Sequence, residues 1–176
     1  MAQRYMQMLR AAVGSCSLLV AEDRELPIRQ EGGGSHWVAC RGVTSGRGAA
    51  ILHDDPVAAK PITMNGGGEV SIYVRVCQKR NNGMDLVAYR ITVRGLRENV
   101  NGVSSFRYDR SEGRPPQDGW DEGLGDNPAH PWAHMHLNFD ASETANGLRL
   151  PTGVVCPVVL LRALGYWHDS LIERQN

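Results

Sequence analysis

Residues 70 to 95 read VSIYVRVCQKRNNGMDLVAYRITVRG. Val70, Ile72, Val74 and Val76 recur at every second position, and Val87, Tyr89, Ile91 and Val93 do the same after the break. A period of two marks a strand with one buried face. The Asn-Asn-Gly between the runs supplies residues that tolerate a left-handed backbone, so a hairpin is expected. A lone hairpin is at best marginally stable in water. It needs further strands and a covering layer, and the rest of the chain offers both.

The further strands lie downstream. In VSSFRYDR, Phe106 and Tyr108 fall on one face while Arg107 and Asp109 fall on the other. In HPWAHMHLNF, Ala133, Met135, Leu137 and Phe139 alternate with Trp132, His134, His136 and Asn138. The alternation predicts strands over 70–79, 85–94, 103–109 and 132–139, with Pro131 at a strand start or on an edge because it cannot donate to the ladder. His36 to Cys40 is a short additional strand between Gly-rich turns.

Helices are expected at both ends. Tyr5, Met8, Leu9, Ala12 and Val13 follow helical spacing within residues 2 to about 22, where Leu18 to Ala21 either extend the helix or begin a strand. Pro157 suits a first helical position, and Val158, Leu161 and Leu164 begin an apolar stripe over 158–172. The expected fold class is α+β: an antiparallel meander sheet of about four or more strands, covered on one face by N- and C-terminal helices. With 176 residues the chain is expected to form a single domain, 1–176. Residues 1–69 supply a helix and a Gly-rich strand/loop region, and 70–176 the sheet and C-terminal helix. The uncovered sheet face would carry His134, His136, Arg107 and Asp109.

Charge limits the partners. The formal net charge is zero, which argues against a protein that coats nucleic acid by bulk electrostatics. The charge is nevertheless uneven. Residues 75–110 hold eight Lys and Arg against three acids, and residues 111–145 hold one Arg against seven acids. A basic face beside an acidic loop (111–128) can hold a polyanion locally, although a solvated sheet face beside a solvated loop accounts for the same counts. Cys16, Cys40, Cys77 and Cys156 are scattered, Arg4 and Arg10 interrupt the apolar positions of the N-terminus, and no apolar run reaches membrane-spanning length. A cytoplasmic protein with reduced thiols and no membrane association is expected.

His130, His134 and His136 are half of the chain's six histidines, packed into seven positions. His-x-His on a strand puts both rings on one face, about 7 Å apart. Two kinds of chemistry suit that spacing. In one, the histidines act as an acid and base pair, Arg107 or Arg149 stabilises developing negative charge, Asp109 fixes one imidazole, and no cofactor is needed. In the other, His130, His134 and His136 hold a divalent metal, with Asp109 or Asp140 as alternative third ligands. No HExxH or CxxC template completes such a metal site. The bland alternative is that the histidines merely fill a half-buried face. The candidate catalytic residues are therefore His134, His136, Arg107 and Asp109. Arg149, Tyr108, Trp132 and His130 are the candidate substrate-binding residues, the aromatics as surfaces on which bases can stack.

Two resemblances bear on these residues. HMHLN is similar to the histidine-triad nucleotide hydrolase motif, with Asn138 where that family has its nucleophilic histidine. The order from about 70 to 172 covers more of the chain: a meander, FRYDR, HPWAHMHLNF, then LRLPTGVVCPVVLLRAL. It resembles small bacterial proteins of the TumE toxin type and related families tied to toxin–antitoxin and antiviral defence loci. Arg107, Tyr108, Asp109, His134 and His136 carry the likeness, with Arg149 and Pro151 weaker, and residues 1–69 and the acidic loop fall outside it. The resemblance implies a toxin- or defence-type role with RNA as target, and a protein partner such as an antitoxin or a defence-complex subunit. Together these features lead to the expectation of a metal-independent endoribonuclease. The alternatives are a metal-dependent hydrolase using the same histidines and a non-catalytic accessory or scaffold subunit.

Overall fold

The paired runs at 70–95 form the hairpin that their alternation requires. The computed structural model describes residues 1–41, 60–95, 105–110, 133–138, 148–151 and 156–173. Strand β4 (Glu69–Gln78) pairs antiparallel with β5 (Met84–Arg94). The turn closes with Lys79 N–H donating to the Gly83 carbonyl at 2.9 Å, and Asn82 takes φ 61°, the left-handed conformation Asn tolerates.

Around this hairpin stand β1 (Ile28–Glu31), β2 (His36–Cys40), β3 (Ile62–Thr63), β6 (Ser105–Arg110), β7 (Ala133–Asn138) and β8 (Leu148–Pro151). The sheet order is β1-β2-β4-β5-β6-β7-β8, with β3 pairing the start of β4, and every pairing is antiparallel. The Gly-rich stretch MNGGGE is a tight return from β3 into β4. Gly68 there has φ +90°, and a Cβ on it would stand 2.5 Å from the Arg94 carbonyl, so only glycine fits.

Helix α1 (Ala2–Gly14) and helix α2 (Pro157–Glu173) cover one face. Met6, Leu9, Ala12 and Val13 of α1 and Val158, Leu161 and Leu164 of α2 share a buried core with Val70, Ile72, Val74, Val76, Tyr89, Ile91 and Val93. At the N-terminus of α1, the Gln78 Oε1 accepts from the Ala2 N–H at 2.8 Å, tying the helix start to the end of β4.

Three expectations need correction. The N-terminal helix stops at Gly14 rather than near residue 22, because Gly-Ser-Cys-Ser is a poor helix-forming run. Leu18 and Leu19 are buried beyond it, and Leu19 forms a β-bridge to Met64. The register slips between Arg75 and Val76, so pairing passes from Ala88 to Leu86 and skips Val87. Leu86 therefore packs against the core in the place expected for Val87. Finally, the second face is not simply open: Val38, Cys40, Tyr73 and Ala88 form a cluster there, each at most 4% exposed.

Candidate functional site

The candidate site lies on that second face, on β6, β7 and β8. Strand alternation decides the faces. Phe106 and Tyr108 turn to the helix-covered core, where their rings meet edge to face at 6.0 Å. Arg107 and Asp109 consequently belong to the opposite face.

The register extends this face across the sheet. Arg107 stands opposite Thr92 of β5 on one side and His136 of β7 on the other, and His136 in turn stands opposite Arg149 of β8. One step along, Asp109 stands opposite Arg90 and His134, and His134 stands opposite Pro151. Two adjacent rows result: Thr92–Arg107–His136–Arg149 and Arg90–Asp109–His134–Pro151. Neighbouring strands lie about 4.8 Å apart, and alternate residues along a strand about 7 Å apart. Arg107, Asp109, His134, His136 and Arg149 thus hold register positions on one face of three neighbouring strands.

The remaining predicted residues fall differently. Tyr108 does not join the patch; it is half-buried on the core side, and burial raises its hydroxyl above the usual tyrosine range. Tyr108 was expected among the substrate-binding residues; it packs on the core side, whereas Arg107 is half-buried on the other face. His130, Trp132, Asp140 and the acidic loop lie outside the described residues. Among the described residues no group of three or more His, Cys, Asp or Glu could hold a metal ion. The proposed three-histidine ligand set includes His130 and so lies partly outside them.

Two residues of the patch went unremarked in the sequence. Arg90 and Thr92 lie on β5 opposite Asp109 and Arg107, and Thr92 is 6% exposed. The signal was present, since Tyr89, Ile91 and Val93 facing the core put Arg90 and Thr92 on the other side. In register with Arg90 is Tyr73 of the buried cluster, which Cys40 joins from β2. Burial pushes the Cys40 thiol up to about 11, with Glu31 adding to the rise and Arg29 opposing it, so this thiol is protonated at neutral pH.

By register these positions belong to two histidines, one aspartate and, with Arg90, three arginines. Such a set can transfer protons and hold an anion. Compared with known protein families, curated proteins and solved structures, the chain matches none. Among the described residues no helix is long and apolar enough to cross a membrane.

Proposed function

We propose that this chain is a metal-independent endoribonuclease of toxin or defence type, acting through His134 and His136. The observation that carries the proposal is the register that aligns Arg107, His136 and Arg149 in one row and Asp109 with His134 in the next. Two arginines in register with one histidine bring together residue types suited to binding a phosphate. In the proposed reaction one histidine removes the proton of a ribose 2′-hydroxyl and the other protonates the leaving 5′-oxygen. Arg107 and Arg149 bind the phosphate, with Arg90 close by on the same face. The local excess of basic residues over 75–110 supports attraction of a polyanion despite zero net charge. The TumE-type resemblance suggests the setting: a cytoplasmic protein with RNA as substrate and an antitoxin or defence-complex subunit as partner.

The test is cleavage of synthetic RNA by the purified chain in the presence of a chelator. Expected products end in 2′,3′-cyclic phosphates, with 5′-hydroxyls on the other fragments. A strand with deoxyribose at the scissile position should resist. His134→Ala and His136→Ala should each slow cleavage by about 100-fold or more. Activity lost to the chelator would shift the proposal to a metal-dependent hydrolase on the same histidines. No cleavage of a varied RNA panel by a folded chain would shift it to an accessory subunit.

A further inference from the structure

We infer that the outward surface of α1 and α2 is a docking face for a protein partner that presents carboxylates around an apolar centre. The helices cover the sheet face opposite the proposed site. The inference therefore goes beyond the ribonuclease reading and does not rest on it.

The two helices lie side by side. The Tyr5 hydroxyl stands 3.8 Å from the Cys156 Sγ where they begin. Further along, the Cys16 thiol donates to the Leu161 carbonyl at 3.7 Å and the Ser17 hydroxyl to the Gly165 carbonyl at 3.3 Å. Their outward residues therefore form one continuous surface. On α1, Arg4 and Met8 are one turn apart. On α2, Val159, Arg162 and Tyr166 share one side at i, i+3 and i+7. Met8 is 44% exposed, Val159 60% and Tyr166 77%, and both arginines are exposed as well.

Helix physics alone does not explain these choices. Positions that meet only water suit strong helix formers such as Glu, Lys and Gln. Val and Tyr are weaker helix formers. Arg4 lies in the first turn, at the positive end of the helix dipole, where an acid is favoured and a cation is not. Arginine, tyrosine and methionine are, however, enriched at protein–protein interfaces, where lysine, glutamate and aspartate are depleted.

Charge selects the partner. Among the described residues, neither Arg4 nor Arg162 makes a hydrogen bond or ion pair. Arg10, further round α1, donates to the Leu26 carbonyl at 3.3 Å rather than to an acid. No acid occurs in α1, or in α2 as far as Tyr166; Asp169 and Glu173 follow on turns whose side chains lie outside the described residues. The exposed acids among the described residues are elsewhere: Glu22 and Glu25 follow α1, and Asp85 of β5 pairs with Lys79 at 2.8 Å. A second copy docked through the same face would set arginine against arginine. RNA would meet the arginines but gain nothing from Met8 and Val159. Carboxylates placed around apolar side chains satisfy both parts of the face.

The test selects a random peptide library, displayed on phage, against the intact chain. Enriched peptides are synthesised and titrated by fluorescence anisotropy. They should carry Asp or Glu beside apolar residues, and bind more weakly as salt rises. Arg162→Gln and Val159→Gln should each weaken binding by about 10-fold or more. Arg80→Gln, which removes an exposed cation from the β4–β5 turn, should leave affinity unchanged. Arg4→Glu should weaken binding while raising the melting temperature of the free chain, because an acid suits the first turn. A lower melting temperature would mean that Arg4 serves the fold, and would overturn the inference. So would enriched peptides without acids, affinities indifferent to these substitutions, or no enriched peptide. The same holds if Arg162→Gln instead abolishes binding to phosphatidylcholine–phosphatidylglycerol vesicles, binding to single-stranded RNA, or a dimer seen by sedimentation. The face would then belong to lipid, nucleic acid or a second copy. RNA cleavage is not among these readouts, so failure here leaves the ribonuclease proposal standing.

Discussion

Asp23 shows how much a single half-buried carboxylate can organise. Its oxygens accept from the Arg41 guanidinium, the Thr63 N–H at 2.9 Å and the Thr63 hydroxyl at 2.8 Å. Arg41 also donates to the Pro61 carbonyl at 3.0 Å. One side chain thus ties the segment after α1 to the end of β2 and to β3. The Arg41 hydrogen bond, reinforced by those from Thr63, holds the Asp23 carboxyl well below the usual carboxylate range. A carboxyl depressed in the folded state stabilises the fold above its unfolded value of about 3.9 and loses that contribution as pH falls toward the folded value. Asp23→Asn should therefore lower the melting temperature at pH 7, and the gap to wild type should narrow below about pH 4. Melting curves across pH 2 to 7 check this. A gap that stays constant across the range would show that charge at Asp23 is not what matters.

At the scale of elements, the legible strands are those whose alternation is long or chemically sharp. β4 and β5 run 10 and 11 residues, and their faces follow from sequence up to the slip at Arg75 and Val76. β6 and β7 are shorter, but polar and apolar residues alternate along all of β7 and along β6 as far as Asp109. The strands β1, β3 and β8 were not legible. IRQE offers one apolar residue to the core, β3 has two residues, and LRLP ends in the residue that least suits a ladder. Their pairing is imposed by neighbours already in place, which no local pattern announces. The slip in β5 is equally silent in LVAY, where either Leu86 or Val87 can serve as the core residue. Leu86→Ala should cost about 2 kcal/mol and Val87→Ala under 1 kcal/mol, because only Leu86 packs against the core. Urea unfolding of the two variants checks the ranking. Equal costs, or the reverse order, would place the slip elsewhere.

Over the whole molecule, the sheet separates a helix-covered face from the face on which the proposed site lies. Its first face is buried by α1 and α2. Its second face carries the buried Val38, Cys40, Tyr73 and Ala88 cluster toward one edge and the Arg–His patch toward the other. The site's composition was legible from His-x-His and FRYDR, but its width was not. Only the register shows that Arg149, thirteen residues beyond His136, returns to stand opposite it, and that Arg90 comes to stand opposite Asp109. The central claim is acid/base catalysis by two histidines on that face. Its most direct test is the pH dependence of RNA cleavage with chelator present. Wild type should give a bell-shaped profile, since one ring must be neutral while the other is charged. His134→Ala and His136→Ala should each remove one limb of the bell along with most of the rate. A wild-type rate that rises steadily with pH, or a full bell retained in both variants, would contradict the account.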